Sequence, residues 1–351
     1  MWQLIRRKRR SLCEEPNGQS LPDVSLSVNG DIDPMSMEDR VPAITTAEAR
    51  IEMAAMCRDA ESIPKVKGAG RVMSLTDGRR VQIMHNGIRV LADGYYGTWM
   101  TCLIERCAGH HEPQEERVFH EVVSRLPPGG TMLELGGFWA YYSIWFLRAA
   151  HGRRAVLVEP DPAHIAVGQA NLALNSVNAE FVQGFLGKEL GTNQPFSTEM
   201  SGTLDLPCID LRALLAERGI DRLTILHCDA QGAELTMLEQ AAPLLRERRI
   251  DWLFLSTHHH TISGDPLTHQ RCLALLQSFG AHIEVEHDVQ ESFSGDGLIC
   301  ARFTASPIGW CAPKISFNRT SGSLFRHPLF DLASIQRADR ARALDMQANT
   351  S

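Results

Sequence analysis

Acidic and histidine side chains directly follow two short apolar runs that have the composition of β-strands. Asp229 comes after Leu223–Cys228, and His258 and His260 come after Trp252–Ser256. A histidine with a pKa near 6.5 can accept a proton at neutral pH, and a neighbouring carboxylate can orient it or hold a substrate hydroxyl. The pattern predicts general base chemistry, with Asp229, His258 and His260 as the candidate catalytic residues.

The sequence is compatible with three roles for these histidines. Successive residues of an extended strand point to opposite faces, so His258 and His260 share a side only if the strand continues beyond Ser256. A general base is the preferred role, and it needs no metal. The alternatives are a divalent metal clamp formed with Asp229 and a hydrogen-bonded structural cluster. Asp229 also has a structural alternative, as a cap for the helix that begins near Gly232.

A second group of candidates surrounds a glycine turn between two predicted strands. Thr131–Leu135 leads into Gly136 and Gly137, a helical stretch follows, and the next apolar run ends at Glu159. This order is a βαβ unit, which places ligands at the carboxyl ends of its strands. Glu159 has about the spacing of the carboxylate that binds ribose hydroxyls in nucleotide-binding folds.

Bulk and charge around this turn narrow the choice of ligand. Phe138 and Ala140 stand where a pyrophosphate would need open backbone, and Glu134 would repel a phosphate but attract a cation. A ligand with a ribose, a positive charge and no phosphate fits S-adenosylmethionine. The predicted cofactor-binding residues lie at strand ends along this unit and beyond it: Glu134, Gly136, Gly137, Glu159, Asp161, Gly184 and Phe185.

The elements that must position these residues alternate between strand and helix. This alternation predicts an α/β fold with a doubly wound, mostly parallel, seven-stranded sheet. The last two predicted strands have no full helix between them, so the final strand should be antiparallel. We predict a disordered basic and polar tail over 1–40 and an N-terminal helix with a small β-meander over 41–108. The catalytic domain should span 109–305, followed by a tail over 306–351.

A helical pattern before the first sheet strand begins with a cluster of ionisable residues. They lie just before the helix or in its first turn: His110, His111, Glu112, Glu115 and Glu116. Carboxylates in a first turn complement the helix dipole, which is one interpretation. The other interpretation is that this helix borders the substrate cleft.

Composition limits the classes of partner. The chain has 351 residues, 44% of them hydrophobic, and a net charge of −7, so we predict no nucleic-acid partner. No apolar run approaches the roughly 20 residues that span a bilayer, so no integral membrane segment is expected. Nine scattered cysteines suit reduced thiols and a cytoplasmic location. The basic residues 1–10 are best interpreted as a solvated tail, with weak membrane contact as the alternative.

The order of motifs resembles the FkbM-type family of class I S-adenosylmethionine-dependent methyltransferases over about residues 110–303. The family's glycine motif is matched by Glu134, Gly136, Gly137 and Ser143, and its Val-Glu-Pro step by Val158-Glu159-Pro160. Its later acidic block is similar to 227–234, where Asp229, Gly232, Ala233 and Glu234 agree. The departures from the family motifs are Phe138, Ala140, His227 and Gln231.

The resemblance implies a Rossmann-like fold and methylation of an acceptor. We therefore predict a methyltransferase that acts on a hydroxyl of a small molecule, and the resemblance implies a sugar, glycan or secondary metabolite. One alternative is an NAD-linked oxidoreductase, against which Glu134 and the missing glycine argue. The other is a catalytically inactive interaction module that still binds S-adenosylmethionine, which the departures at Phe138, Ala140 and Gln231 leave open.

Overall fold

The computed structural model describes residues 46–318. The predicted tail over 1–40 and residues 319–351 of the predicted C-terminal tail lie outside the described residues. Residues 306–318 are described and contain neither helix nor strand.

The N-terminal extension, residues 46–108, consists of two helices and a small antiparallel sheet. Its elements are α1 (Ala47–Met56), β1 (Val72–Ser74), β2 (Arg80–Ile83), β3 (Arg89–Leu91) and α2 (Thr98–Arg106). The Thr46 hydroxyl accepts a hydrogen bond from the Ala49 amide at 3.2 Å and caps α1. The strands follow the order β1-β2-β3, as the Asp-Gly and Asn-Gly turns between them predict. Helix α2 was not predicted from the sequence.

The rest of the chain is built around one large sheet. Its strands are β4 (Thr131–Leu135), β5 (Arg154–Glu159), β6 (Glu180–Gln183), β9 (Leu223–Cys228), β10 (Ile250–Thr257), β11 (His282–His287) and β12 (Gly297–Arg302). They lie in the order β11-β12-β10-β9-β4-β5-β6. Strand β4 is parallel to β5 and β9, whereas β12 is antiparallel to β10 and β11. The predicted doubly wound, mostly parallel, seven-stranded sheet is confirmed.

Helices cover both faces of this sheet. They are α3 (Pro113–Val123), α4 (Tyr141–Ala149), α5 (Pro162–Leu174), α6 (Leu211–Glu217), α7 (Glu234–Arg246), α8 (His260–Ser263) and α9 (Thr268–Ser278). One apolar layer joins α3, α4, α5 and the N-terminal extension to the sheet, and the other joins α6, α7 and α9 to it. A separate antiparallel hairpin is formed by β7 (Asn193–Ser197) and β8 (Thr203–Pro207).

The strand order decides where a ligand can bind. From β4 the chain moves outward to β5 and β6, and it then returns to β9 and β10 on the other side of β4. The boundary between β4 and β9 is therefore a topological switch point, where a crevice opens beyond the carboxyl ends of the strands. Glu134 ends one wall of this crevice and Asp229 follows the other.

The N-terminal extension is held against the sheet domain by side-chain amides of α5. The Arg89 amide donates to Asn175 Oδ1 at 2.9 Å, and the Leu91 amide donates to Asn171 Oδ1 at 2.8 Å. These bonds satisfy the free edge of β3, which would otherwise be open to pairing with another chain. The loop after β3 is thereby placed over the switch-point crevice.

Two further features bear on the sequence predictions. No disulfide joins cysteines within residues 46–318. Among the helices of that same part of the chain, none combines the length and the apolar character needed to cross a bilayer. The cytoplasmic location and the membrane contact of the basic N-terminus stay predictions.

Candidate active site

A cleft of about 560 Å³ opens at the carboxyl ends of the sheet strands. This volume is typical of small-molecule and cofactor sites. Its walls contain Glu134 from β4, Glu159 from β5 and Asp229 after β9, so the predicted strand-end residues do meet in one place. None of the described residues that line it is a lysine or an arginine. The cleft therefore offers carboxylates and aromatic rings, without the extended cations that phosphate sites use.

The glycine turn after β4 brings two strands together. Gly136 has φ of +86°, and a Cβ atom built there would lie 2.0 Å from the carbonyl oxygen of Asp229. The amides of Gly136 and Gly137 both donate to Val158 O, at 2.9 and 3.1 Å. Gly136 lines the cleft, whereas Gly137 packs against the Leu157 side chain behind it. The structure thus gives the predicted cofactor residue Gly137 a packing role.

The close approach at Gly136 predicts a large effect of a single methyl group. We expect Gly136→Ala to lower the free energy of unfolding by about 2–4 kcal/mol, because left-handed strain adds to a backbone clash. Gly129→Ala is the matched control, since Gly129 also has positive φ, +81°, but has open space where its Cβ would be. It should cost about 1 kcal/mol. Equal losses in urea unfolding of the two variants would contradict the close contact with Asp229.

Ala140 occupies a position that a glycine holds in the resembled family motif. Its φ is +62°, the left-handed conformation that glycine adopts without strain. It precedes α4, and its amide donates to Gly137 O at 2.7 Å. The turn therefore keeps the backbone shape associated with glycine although the residue has changed.

Glu134 is buried at the end of β4 with one oxygen already engaged. Its Oε2 accepts hydrogen bonds from the Ser143 amide, at 3.1 Å, and from the Ser143 hydroxyl. Burial raises the pKa of Glu134 to about 7, against the opposing effects of His227 and Ser143. Its Oε1 lies 4.0 Å from His227 Nδ1 and has no hydrogen bond to another described residue. One oxygen of Glu134 is thus left for a ligand in the cleft.

Glu159 is fixed by the turn that it faces. Its Oε2 accepts from the Phe138 amide at 3.1 Å, and its Oε1 accepts from the Asp161 amide at 3.0 Å. His164 Nδ1 lies 3.3 Å from Oε1, and the His164 ring stacks on Phe138. Each carboxylate oxygen has two acceptor positions, so Oε2 of Glu159 can still accept a hydrogen bond from a hydroxyl group.

Asp161 lines the cleft but already binds the chain at both of its oxygens. It caps α5 through the Ala163 amide at 2.9 Å, and it accepts from the Met200 amide at 2.6 Å and the Ser201 hydroxyl at 2.5 Å. It therefore ties the turn of the β7–β8 hairpin to the cleft wall. Its predicted contact with a cofactor stays a prediction.

Gly184 and Phe185 line the same end of the cleft. A Cβ at Gly184 would lie 2.5 Å from Ile209, so only glycine fits between the two strand ends. The Phe185 ring stacks on Phe196 of the hairpin, with a centroid distance of 4.6 Å. The pair presents a flat apolar surface suited to an aromatic base.

The predicted catalytic residues Asp229 and His258 do lie together. His258 Nε2 is 3.1 Å from Asp229 Oδ1 and 3.8 Å from Asp296 Oδ1, without a well-directed hydrogen bond to either. Its Nδ1 lies 2.7 Å from Glu234 Oε1, which also accepts the His258 amide at 3.0 Å. His258 is thus surrounded by three carboxylates, and the first-turn charge Glu234 is a buried partner of the histidine.

The charges in this cluster decide which group can accept a proton. Burial opposes a charge on His258, but Asp296, Asp229 and Glu234 raise the pKa of His258 well above its ordinary value. Burial also opposes ionisation of Asp229, yet the close contact with His258 and its charge lower the pKa of that carboxyl. Burial raises the pKa of Asp296 to about 7, with His258 opposing the rise. Asp296 is therefore the group whose pKa lies near neutral pH.

His260 takes a different position from His258. Strand β10 ends at Thr257, so the alternation that would place His258 and His260 on one side does not continue. His260 begins α8, and its ring lies 4.3 Å from that of His259. The metal clamp that required both histidines beside Asp229 does not form.

Residues 127–283 match the sequence model of the methyltransferase FkbM domain. The chain carries an FkbM methyltransferase domain. The match covers the glycine turn, Glu159 and Asp229, which are among the positions that agree with the family motifs. It confirms the family resemblance and, with it, S-adenosylmethionine as the cofactor expected of this domain.

Solved structures show more distant similarity to the methyltransferase domain. A precorrin-6y C5,15-methyltransferase from Geobacter metallireducens is 15% identical, with 53% of this chain and 88% of that chain covered and a TM-score of 0.35. An O-methyltransferase from Bacillus cereus, in complex with SAH, is 17% identical, with 52% and 76% covered and a TM-score of 0.36. No curated protein sequence is similar enough to count as a relative.

Helix α3 of the methyltransferase domain places its first-turn carboxylates inside the protein. Glu115 Oε1 lies 2.8 Å from His227 Nε2, and His227 lines the cleft. Glu116 is completely buried and accepts from His111 at 2.7 Å and from His110. Of the predicted cluster, His111 lines the cleft directly and Glu115 contacts the lining residue His227, whereas Glu116 joins the helix to the loop before it.

The side chains of His85, His110 and Glu116 form a buried group of potential metal ligands. Their ligand-type atoms lie within 4.8 Å of one another, and all three residues are buried. The His85 and His110 rings are stacked, however, at a centroid distance of 4.2 Å and an interplanar angle of 16°. Their nitrogen lone pairs lie in nearly parallel planes and do not converge on one point. We therefore interpret the group as a hydrogen-bonded network.

Several residues in or beside the cleft of the methyltransferase were not found from the sequence. Tyr95 and Tyr96 enter the cleft from the N-terminal extension, and Tyr95 stacks on Trp139 at 4.3 Å. Their only sequence signal is a pair of tyrosines between two glycines. Asp296 follows Gly295 in the loop before β12, a composition typical of any turn. Tyr141, which follows the glycine turn, is fully buried, and its hydroxyl lies 3.1 Å from His85 Nδ1.

Proposed function

We propose that this methyltransferase transfers a methyl group to a hydroxyl of a sugar, glycan or secondary metabolite. The observation that carries the proposal is the cluster of Asp229, His258 and Asp296 beside the cofactor cleft. A hydroxyl must lose its proton as the new bond forms, and a positioned base contributes about 10²–10⁴-fold to such a step. An acceptor that is already nucleophilic would not need this cluster.

The residues of the cleft fit S-adenosylmethionine. Glu159 is held in place to accept ribose hydroxyls, and the Phe185–Phe196 pair offers a face for the adenine ring. Glu134 has an unused oxygen for the charged methionine part. When bound, S-adenosylmethionine supplies an activated methyl group, so the protein's task is mainly to orient the acceptor.

Within the proposed reaction, Asp296 is the general base. Its carboxylate takes the acceptor proton, because its pKa of about 7 is close to working pH. The imidazolium of His258 cannot accept a proton; instead it holds Asp229 and Asp296 in place by charge. Asp229, with 29% of its side chain exposed at the cleft, is available to accept a hydrogen bond from the acceptor. His258 is thus a positioning residue in the proposal.

The lining of the cleft supports an uncharged acceptor. The described lining residues include no lysine or arginine, and they include the aromatic residues Tyr95, Tyr96 and Trp139. An acceptor with a phosphate or a carboxylate near Asp229 would face that carboxylate, and the neighbouring His258 is already balanced by three carboxylates. A neutral hydroxylated ring can pack on the aromatic faces without this repulsion.

Calorimetric titration with S-adenosylhomocysteine tests the cofactor part of the proposal. We expect Glu159→Ala to bind about 10- to 100-fold more weakly than wild type, because hydrogen bonds from the ribose to a charged acceptor are lost. Glu180→Ala is the control, since Glu180 lies on the neighbouring strand β6 and pairs with Arg218. A folded wild-type protein that binds NAD but not S-adenosylhomocysteine would refute the proposal. Binding without methylation of any hydroxylated acceptor would favour an inactive module.

A further inference from the structure

His227 is a buried histidine with one ring nitrogen left without a partner. Only 2% of the residue is exposed, and its Nδ1 has no hydrogen-bond partner in the described structure. A buried donor or acceptor without a partner has lost its hydrogen bonds to water without gaining others in the protein. Such a group is unusual in a native fold and suggests that a ligand completes it.

The other ring nitrogen is firmly held. Nε2 lies 2.8 Å from Glu115 Oε1, and Glu115 Oε2 accepts from the Ser256 hydroxyl at 3.3 Å. Although burial opposes a charge on His227, Glu115 and Glu134 raise the pKa of this imidazole to about 9. If the shared proton moves to Glu115, Nε2 becomes the acceptor, and Nδ1 still carries hydrogen. The unpartnered atom is therefore an N–H donor in both arrangements.

Glu134 stands directly beside this donor. Glu134 and His227 are register partners on the parallel strands β4 and β9, on the two sides of the switch point. The unengaged Glu134 Oε1 and His227 Nδ1 are 4.0 Å apart, too far for a hydrogen bond between them. Both residues line the cleft. The cleft thus presents an unused acceptor and an unused donor side by side.

An α-amino acid group carries an ammonium and a carboxylate on adjacent atoms, which complements this arrangement. We propose that His227 Nδ1–H binds the carboxylate of the methionine part of the cofactor, while Glu134 binds its ammonium. The assignment rests on the proposed cofactor position. It gives a role to His227 at a position where the resembled family motif has lysine. The imidazolium of His227, on a buried strand, thus takes the place of the flexible lysine side chain of the family motif.

The test compares two ligands that differ in the amino acid group. S-adenosylhomocysteine contains it, and 5′-methylthioadenosine lacks it. By calorimetry, we expect His227→Gln to weaken S-adenosylhomocysteine binding about 10- to 100-fold and to leave 5′-methylthioadenosine binding within about twofold of wild type. His227→Lys should restore most of the lost affinity. His287→Gln is the control for a buried histidine, since His287 lies on β11 outside the cleft lining.

The outcomes separate this assignment from the proposed function. Wild type that binds neither ligand would overturn both. If His227→Gln weakens both ligands equally, or neither, the carboxylate assignment is wrong while cofactor binding stands. Should His227→Gln fail to fold, wild type is titrated with the methyl ester of S-adenosylhomocysteine. We expect the ester to bind about 10-fold or more weakly than the free acid, and equal binding would overturn the assignment.

Discussion

Asp296→Asn is expected to lower the rate of methyl transfer, measured as kcat, by about 10²- to 10⁴-fold. The variant removes the one carboxylate of the cluster whose pKa lies near 7 and keeps its shape. Because Asp296 lies beside His258 and is not among the residues that line the cleft, the affinity for S-adenosylhomocysteine should change little. The measurement is a single-turnover assay with a hydroxylated acceptor found by screening.

The matched control for this variant is Asp205→Asn on the outer hairpin. Asp205 is an exposed residue of β8 and does not line the cleft, so kcat should stay at the wild-type value. A wild-type rate in Asp296→Asn would move the role of base to Asp229. Equal losses of rate and of cofactor affinity would indicate a structural defect instead.

The same proposal fixes the direction of the pH dependence. A base must be ionised, so the wild-type kcat/KM should fall as the pH drops below about 7, where Asp296 becomes protonated. The charged groups that act on Asp296 or are acted on by it are His258, Asp229, Glu112, Glu115 and Arg50. His258 stays protonated through this range because its own pKa is raised. The residual kcat/KM of Asp296→Asn should not show this fall below about pH 7.

Glu116→Gln is expected to lower the free energy of unfolding by about 3–5 kcal/mol. Glu116 is fully buried and accepts from the His111 amide at 2.8 Å, the His111 ring at 2.7 Å and the Tyr141 hydroxyl at 3.2 Å. The substitution leaves a buried imidazolium short of its counter-charge and turns an amide NH₂ toward other donors. Urea unfolding at constant pH measures the loss.

Glu121→Gln on the same helix is the comparison. Glu121 pairs with Arg117 and Arg125 near the surface, and its loss should cost about 1 kcal/mol or less. A similar small loss in Glu116→Gln would show that the buried network adds little stability.

The stability difference between wild type and Glu116→Gln should depend on pH. Burial opposes the charge, but His110 and His111 lower the pKa of Glu116 below its ordinary 4.5, so its contribution is complete above that pH and is lost on acidification. Burial opposes a charge on His111 as well, but Glu112 and Glu116 raise the pKa of His111 from 6.5 to about 10. That contribution is complete below pH 6.5 and is lost toward pH 10. The difference should be largest between about pH 4.5 and 6.5.

Local sequence was sufficient for the βαβ unit and its ligand end. The apolar run Thr131–Leu135, the turn at Gly136 and the apolar run that ends at Glu159 each have a short-range signature. Turn chemistry and the length of an apolar run act over a few residues, so a single sequence contains them. The alternation of such units also indicates a parallel sheet, because parallel strands need a crossover between them.

Local sequence did not determine the positions of the two histidines after β10. His258 and His260 carry the same local signal, yet His258 lies beside Asp229 whereas His260 begins α8. The difference arises because the strand ends at Thr257 and the chain turns into α8. Just beyond that end the His258 amide donates to Glu234 Oε1 at 3.0 Å, a contact between separate elements.

The sequence by itself determined the class of fold, the strand ends that form the cleft and the family of the domain. Tertiary structure alone decided which ionisable groups contact one another and which of them line the cleft. Glu115 and His227 are 112 residues apart, and Asp296 reaches the cluster from a loop with an ordinary turn composition. Burial and neighbouring charge set a pKa, and both depend on contacts between distant segments. The roles of Asp296 and His227 could therefore be inferred only after the chain was folded.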